Sequence, residues 1–310
     1  MTNLKIDKSQ DTHYVFVMRI LVYGSLNIDM IFSVDHIVAP GETISSASLV
    51  KSAGGKGANQ AAALAKAGMP VHMAGKIGED GKFLLELLQS YGVNTDKVIQ
   101  YEGATGQAII QVDKNGQNSI VLFSGGNGAV LIEEINKTIL EFTTGDLVVL
   151  QNEIAHVREI MECAKKRGIK VCLNPSPYNE KIEALPLELV DLFIVNETEG
   201  AALSGLDSHT PVTGILDKLI KRFPNAEIIL TAGEDGAYYG SGEKREKGDA
   251  VKLPVVDTTG AGDTFTGYFI AAREKNNSVS EALAIACKAA SIAVSRPGAM
   301  ESIPLAGEIW

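Results

Sequence analysis

The sequence predicts an α/β fold in which helices cover both faces of a mostly parallel sheet. Continuous apolar runs such as DLVVLQN (146–152) and LFIVNETE (192–199) alternate with helical segments such as VREIMECAKKRG (157–168). Further apolar strands are expected at 169–177 and 227–233. Runs of this kind are typical of parallel strands buried on both faces. With 310 residues, 45% of them hydrophobic, the chain is long enough for one large domain or two small ones.

The first elements follow from Met18 onward. RILVYGSLNIDMIF predicts a strand and its exit, and GANQAAALAKAG (57–68) predicts an Ala-rich helix closed by Gly68. The segment 80–92 has apolar residues at helical spacing and ends in glycine, so it predicts a second helix. Residues 1–17 are polar and lack a signal-peptide pattern. We therefore expect them to form a poorly ordered extension.

Two stretches break the alternation of strands and helices. Residues 42–53 and 98–123 have strand-like composition without intervening helices, and KNGQ (114–117) is a hairpin signal between two strands. We expect a small separate sheet that acts as a lid, inserted into the main domain from about 30–53 and 98–123. The alternative is an ordinary antiparallel edge of the main sheet. The charged segment SGEKREKGD (241–249) is expected to be an exposed loop between strands.

Composition excludes several classes of function. The net charge of −10 argues against a broad nucleic-acid or anionic-membrane surface, because both need clustered Lys and Arg. The three cysteines form no CxxC pair, and the five histidines have no zinc-like spacing. No apolar run has the length of a membrane span. We expect reduced thiols and a cytoplasmic protein.

The segment DTTGAGDTF (257–265) carries the clearest chemical signal. Small residues at Gly260, Ala261 and Gly262 leave room for an anion to approach the free backbone amides of a helix start. Asp263 follows at once, where a carboxylate would repel a phosphate but would suit a general base. The turn therefore predicts an anion hole with a base beside it. The alternative is that Asp263 only caps the helix, because Asp is common at helix starts.

Other phosphate-binding devices do not match. GGKGANQ (54–60) lacks the hydroxyl residue that a Walker loop places after its lysine, and YGSLNID (23–29) contains one glycine instead of the three of a dinucleotide-binding turn. The protein-kinase signatures HRD and DFG are absent from the sequence. A phosphotransferase with this sequence would belong to another class.

Together with AGGKGANQAAALAKAG (53–68), the DTTGAGDTF segment resembles the signature segments of the ribokinase-like sugar kinases. Further matches follow in the family's order. They are GSLNID (24–29), TGQAIIQVDKNGQN (105–118), QNE (151–153), NPSP (174–177), VNETE (195–199), TAGEDG (231–236) and AVSRPGAMESIP (293–304). The resemblance spans residues 18 to 304 as one kinase domain, leaving 305–310 as a tail. It implies a three-layer α/β/α core with a small β-sheet lid.

The resemblance also implies an activity, which is transfer of the γ-phosphoryl group of ATP to a sugar hydroxyl. The pattern is most similar to the ribokinases, which implies D-ribose as the first candidate substrate. Asp263 corresponds to the catalytic base, and Gly260, Ala261 and Gly262 correspond to the anion hole. The family's sugar-binding positions match Asn27, Asp29, Gly55, Lys56, Asn59, Ala108, Ile110, Glu153 and Asp263 itself. From residues alone, Asn27 and Asp29 would instead be assigned to a turn after the first strand.

Nucleotide and metal positions are implied in the same way. Asn196, Thr231, Gly233 and Gly262 match ATP-binding positions, and Asn196 and Glu199 match an element that organises Mg²⁺ through water. The alternative for Asn196 is a helix N-cap, which is compatible with that role. A K⁺ site is also implied. Its ligands, mostly backbone carbonyls, match Asp257, Thr259, Ala293, Arg296, Gly298 and Ser302.

Some residues depart from the family's pattern. Gln107 occupies a lid position that is usually apolar, the turn GGNGAV (125–130) differs from its usual version, and Pro297 and Met300 lie in the cation segment. These departures leave open a kinase for fructose, another sugar or a nucleoside. A non-catalytic sugar- or nucleotide-binding regulator is the alternative from another class.

The open face of a small lid sheet also predicts a homodimer in which the two lids are in contact.

Overall fold

A computed structural model describes residues 18–310, so the expected extension at 1–17 lies outside the described residues. In that part of the chain the strands are β1 (Ile20–Tyr23), β2 (Asn27–Ser33), β3 (Ser48–Gly54), β4 (Val71–Ile77), β5 (Asn94–Gln100), β6 (Gly106–Val112), β7 (Asn118–Phe123), β8 (Leu147–Gln151), β9 (Lys170–Asn174), β10 (Leu192–Asn196), β11 (Glu227–Thr231), β12 (Ala237–Ser241) and β13 (Lys244–Gly248). The helices are α1 (Lys56–Lys66), α2 (Lys82–Ser90), α3 (Ile132–Ile139), α4 (Val157–Lys166), α5 (Glu197–Ser204), α6 (Val212–Arg222), α7 (Ala261–Glu274), α8 (Val279–Val294) and α9 (Ala306–Ile309).

Nine strands form one large sheet in the order β13-β12-β11-β10-β9-β8-β1-β4-β5. The strands from β11 to β5 pair in parallel, and β12 and β13 continue the sheet as antiparallel strands. This confirms the predicted α/β class with a mostly parallel sheet.

Helices cover both faces of this sheet. Successive residues of a strand point to opposite faces, so Ile20 and Val22 of β1 belong to the core cluster that also contains residues of α1, α2, α7 and α8. Leu21 and Tyr23 belong to the cluster on the other face, which also contains residues of α3, α4, α5 and α6. All four β1 side chains are almost fully buried, which explains the continuous apolar run in the sequence.

The four remaining strands form the separate lid sheet, in the order β3-β2-β6-β7. Strands β6 and β7 pair as an antiparallel hairpin, and Gly116 in the turn between them has a φ of 79°. The Asn-Gly signal in the sequence therefore marked a real hairpin. Because these strands do not join the large sheet, the alternative of an antiparallel edge is wrong.

Several predicted boundaries change. Residues 98–100 belong to β5 and pair with β4 in the large sheet, so they are not part of the lid sheet. The segment 241–249 is not a loop, because Lys244–Gly248 forms the edge strand β13 against β12. The expected helix at 80–92 is shorter, since a 3₁₀ turn at Glu79–Gly81 precedes α2.

The last residues of the chain pack onto the core. Residues 305–310 contain α9, where Ile309 is buried and its carbonyl accepts a hydrogen bond from Lys288 of α8 at 3.1 Å. The end of the chain is therefore held against α8. Among the described residues, no helix combines the length and apolar character that a membrane crossing needs.

Candidate active site

The candidate site lies at the carboxyl edge of the large sheet, between that edge and the lid. Strands β8, β10 and β11 end there at Gln151, Asn196 and Thr231, and β1 leads over residues 24–26 into lid strand β2. Asn196 and Thr231 are paired in register, so these two predicted nucleotide positions are neighbours. Ligands of open α/β folds bind at this edge.

Asp263 lies in the first turn of α7. The helix is preceded by Gly260, whose φ of 73° is a left-handed conformation that glycine adopts without strain. At Gly262 the surface is open, because a Cβ atom built there would meet no atom within 4 Å. The Ala261 amide donates to the Thr258 carbonyl at 3.3 Å. The predicted clearance beside Asp263 is therefore present, and it is widest at Gly262.

The Asp263 carboxylate is held from α1, not from its own helix. Asn59 donates from Nδ2 to Oδ2 at 2.9 Å, and Gln60 donates from Nε2 to Oδ1 at 2.9 Å. The N-cap of α7 is Gly260 and no side chain of the described residues accepts a capping hydrogen bond there, so Asp263 does not cap the backbone amides of α7. Burial raises the pKa of Asp263, while Lys56 and the two amide donors act in the opposite direction.

Lys56 begins α1 and connects the two halves of the site. Burial disfavours its charge, but the carboxylates of Asp263, Glu153 and Glu199 outweigh that effect and raise its pKa. Glu153 accepts hydrogen bonds from the Ser25 hydroxyl and from the Lys56 amide, the latter at 3.2 Å. Burial raises the pKa of Glu153, and the charge of Lys56 opposes the shift. Lys56 therefore faces both sugar-side and nucleotide-side carboxylates.

The lid contributes Asn27, Asp29, Ala108 and Ile110. Asp29 is paired with Ala108 across β2 and β6, so both side chains lie on the same face of the lid, together with Ile110. Asn27 and Asp29 lie within strand β2 and not in a turn, which removes that alternative. Gln107 pairs with Ile28, the residue before Asp29, so its side chain lies on the opposite face of the lid from Asp29.

Asp29 has an unusual acidity for a carboxyl group. Burial, together with the neighbouring carboxylates of Glu153 and Glu301, raises its pKa to about 7. A carboxyl group with this pKa changes its charge near neutral pH.

Asn127 is a site residue that sequence reasoning missed. Its Nδ2 donates to Asn27 Oδ1 at 2.7 Å, and its Oδ1 accepts from the Leu26 amide at 3.0 Å. It therefore fixes the crossing from the large sheet to the lid. The segment GGNGAV departs from the family's pattern, but nothing in its local sequence predicts a contact between Asn127 and Asn27. Ser25, Gln60 and Gln151 were missed for the same reason.

Asn196 and Glu199 form a reciprocal cap at the start of α5. Asn196 Oδ1 accepts from the Glu199 amide at 2.8 Å, and Glu199 Oε2 accepts from the Asn196 amide at 3.1 Å. Within residues 18–310 no cluster of three or more His, Cys, Asp or Glu residues could hold a metal ion. The remaining oxygens suit Mg²⁺, which keeps several waters and needs few protein ligands. Gly233 follows β11 and has a φ of 49°.

The segments of the predicted K⁺ site come together beside α7. Asp257 Oδ1 accepts from the Thr259 amide and hydroxyl at 2.9 and 2.6 Å, and Oδ2 accepts from the Gly298 amide at 3.0 Å. Two of the other predicted positions have local partners: the Ala293 carbonyl accepts from the Arg296 amide at 3.0 Å, and Ser302 donates to the Ala299 carbonyl at 2.8 Å. A cleft of about 540 Å³ lies between the residues around Asp257 and Gly298 and lid residues such as Ile31 and Val50.

Comparison with known proteins places this arrangement in context. The family model described as pfkB family carbohydrate kinase matches residues 18–306. A ribokinase of Staphylococcus aureus (strain COL) is 34% identical over 308 residues, covering 94% of this chain and 98% of that protein.

Two solved structures are also similar. The ribokinase of Cryptococcus neoformans var. grubii serotype A, in complex with ADP, has a TM-score of 0.83 at 37% identity and covers 94% of this chain and 98% of its own. The Arabidopsis thaliana ribokinase, complexed with ribose and ATP, has a TM-score of 0.82 at 31% identity. The match covers 94% of this chain and 97% of the Arabidopsis chain.

Proposed function

Because the chain belongs to the pfkB family of carbohydrate kinases, which transfer phosphoryl groups to hydroxyl groups, we propose that it phosphorylates D-ribose at the 5-hydroxyl, with ATP as donor. The observation that carries this proposal is the buried Asp263 carboxylate beside the open turn at Gly262. A regulator that binds without catalysis would not need a base at that place.

In the proposed reaction Asp263 acts as the general base. It takes the proton of the sugar hydroxyl as that oxygen attacks the γ-phosphorus, and the bond from this phosphorus to the bridging oxygen of ADP breaks. The amides at the start of α7, led by Gly262, stabilise the charge of the transferred group. Lys56 compensates the carboxylates that line the site. Mg²⁺ near Asn196 and Glu199 would neutralise phosphate charge when bound.

The polar groups around Asp263 suit a small polyol. Asp29 and Glu153 accept from hydroxyl groups, while Asn27, Lys56 and Asn59 supply amide or ammonium groups. Such a set discriminates against sugars that lack a hydroxyl, because a buried polar group is then left unpaired. Gln107 lies on the opposite lid face from Asp29, so it gives no reason to prefer a substrate other than ribose.

A substrate panel tests the proposal. Release of ADP would be followed with D-ribose, 2-deoxy-D-ribose, D-fructose and a nucleoside, each with K⁺ or with Na⁺ as the only monovalent cation. We expect the highest kcat/KM with ribose, and higher activity with K⁺ because the segments around Asp257 adjoin the start of α7. A nucleoside preferred by tenfold or more would overturn ribose as the substrate.

The acidity of Asp29 gives a prediction for pH. An ionised Asp29 accepts hydrogen bonds from sugar hydroxyls, so protonation below its pKa of about 7 weakens binding. We expect the KM for ribose to rise as pH falls below that value, by up to ~10-fold per pH unit, while the KM for ATP changes little. Glu301→Gln removes a like charge and should move this rise to lower pH.

The control for that experiment is Glu86→Gln, an exposed change on α2. It should leave the pH profile of the wild type unchanged. A ribose KM that is flat across neutral pH would contradict the role of Asp29 in binding.

We further propose that two chains form a homodimer through their lids. Six apolar residues on the two edge strands of the lid are more than half exposed; Val50, Ile120 and Leu122 lie on the lid face of Asp29, and Leu49, Val121 and Phe123 lie on the opposite face. Val50, Ile31, Ile110 and Ile120 form one apolar row across all four strands. A patch of this kind is typical of an interface, and a two-fold axis would pair it with its own copy.

Light scattering at micromolar concentration tests the dimer. We expect twice the chain mass for the wild type and a monomer for Ile120→Glu, because a charge in the apolar row would be buried without a partner. Leu140→Glu, directly after α3, is the control, since Leu140 is an apolar residue that is even more exposed than Ile120, at 63% against 51%, and this variant should remain dimeric. A wild-type chain that is monomeric would refute the interface.

A further inference from the structure

Two buried glutamines extend the hydrogen bonding of Asp263 into the core. Gln60 on α1 and Gln151 at the end of β8 are both fully buried. Gln60 donates from Nε2 to Asp263 Oδ1 at 2.9 Å, and its Oε1 accepts from Gln151 Nε2 at 2.6 Å. The two amides and the carboxylate thus form one continuous chain.

The donor and acceptor roles in this chain follow from the charge of Asp263. An ionised carboxylate only accepts, so the amino group of Gln60 must face it. The Gln60 oxygen then faces Gln151, and only the amino group of Gln151 can donate to that oxygen. Each amide orientation is therefore determined by the one before it.

Within residues 18–310, the series of hydrogen bonds ends at Gln151 with an unsatisfied acceptor. Gln151 Oε1 is buried and has no hydrogen-bond partner within the described part of the protein. It lies against Gly24, where an added Cβ atom would come within 2.1 Å of that oxygen. A buried acceptor without a partner is unfavourable. The orientation that strands it is the one that presents a donor to ionised Asp263.

We propose that Gln60, oriented by Gln151, is a positioning residue that holds the Asp263 carboxylate in one rotamer and favours its ionised form. This inference rests on the proposed function, in which Asp263 is the base. Asn59 binds the other carboxylate oxygen but also matches a sugar position. Gln60 is enclosed between Asp263 and Gln151, so its role is separable from sugar binding.

Other charged groups near Asp263 lie on several elements. Lys56 on α1 faces it directly, Glu153 after β8 lies across Lys56, and Glu199 on α5 faces Lys56 from the nucleotide side. Asp29 on the lid faces Glu153. All of these charged groups remain in every glutamine variant. A change in the pH profile that appears only in the Gln60 and Gln151 variants therefore reports on the hydrogen bonds from Gln151 to Gln60 to Asp263.

The test compares the pH dependence of kcat in Gln60→Met, Gln151→Met and the exposed control Gln89→Met, measured at saturating ribose so that the effect of Asp29 on the ribose KM does not contribute. Methionine has similar length but no donor. Loss of a hydrogen bond to the carboxylate form raises the pKa of Asp263. The acid limb of the profile, in which activity falls as Asp263 becomes protonated, should therefore move to higher pH. We expect a shift of about one pH unit for Gln60→Met, a smaller shift for Gln151→Met and none for the control.

Gln60→Glu provides a second variant that is closer in shape to the native residue. Its carboxylate would face Asp263, and repulsion of like charges should move the acid limb further than in Gln60→Met. An acid limb at the wild-type position in folded Gln60→Glu or Gln60→Met, judged by thermal unfolding, would overturn the inference.

Asp263→Asn, measured alongside, separates this inference from the proposed function. If that variant is inactive while the glutamine variants keep the wild-type acid limb, only the positioning role is wrong. If it retains turnover, the proposed function and the positioning role fall together.

Discussion

Asp263→Asn is expected to reduce kcat by about 10²–10⁴-fold while leaving the binding of ribose and ATP close to that of the wild type. The substitution keeps the shape of the side chain but removes the base. The fold should tolerate it, because the amides of Gln60 and Gln151 can rotate together and give the new amino group an acceptor. Steady-state kinetics and calorimetry on the same preparation measure both effects.

The matched control is Asp217→Asn. Asp217 is an exposed carboxylate that pairs with Arg245 at 2.8 Å on the surface, and its loss should leave kcat within about twofold. If Asp263→Asn kept near-normal turnover, the base assignment would be wrong.

Gly267→Ala is expected to impair both stability and catalysis. Gly267 lies one turn after Asp263 on α7, and a Cβ atom there would come within 2.4 Å of the Ala63 Cβ on α1. The two helices would have to move apart, at a cost of about 1–3 kcal/mol in the free energy of unfolding. Because Asn59 and Gln60 reach Asp263 across this same contact, the change should also lower kcat by up to ~10²-fold.

Gly214→Ala on α6 is the control for that variant. There an added Cβ atom would meet only the Thr210 methyl group at 3.3 Å, so the gain in helix propensity should leave stability unchanged or slightly higher. Thermal unfolding and kcat would be compared for both variants. A Gly267→Ala protein with wild-type kcat would show that the spacing of α1 and α7 does not control Asp263.

The fold was predictable where its signals are local. Buried parallel strands give continuous apolar runs, and the turn of the lid hairpin has its Asn-Gly pair, so both were recognised. The assignment of residues 98–100 failed because strand pairing is a long-range property. Nothing within β5 states that its partner is β4 and not a lid strand. The charged strand β13 reads as a loop because an edge strand needs no apolar face.

The site was predictable only in part for a similar reason. Asp263 and its small neighbours form one short segment, so their chemistry can be read in place. Its partner Gln60 lies 203 residues away along the chain, and Asn127 lies 100 residues from Asn27. A glutamine in an Ala-rich helix carries no sign of such a partner. Contacts of this kind follow from the packing of α1 against α7 and from the return of the lid to the core.

Phosphorus NMR of the product is the most direct test of the account. Purified protein would be incubated with D-ribose, ATP and Mg²⁺, and the coupling of the new phosphate monoester to sugar protons would be recorded. Transfer to the 5-hydroxyl places the phosphate next to a methylene group, so we expect a triplet, which should grow about 10²–10⁴-fold more slowly with Asp263→Asn. A doublet, which indicates an ester at a ring carbon, or no new ester at all, would contradict the proposed function.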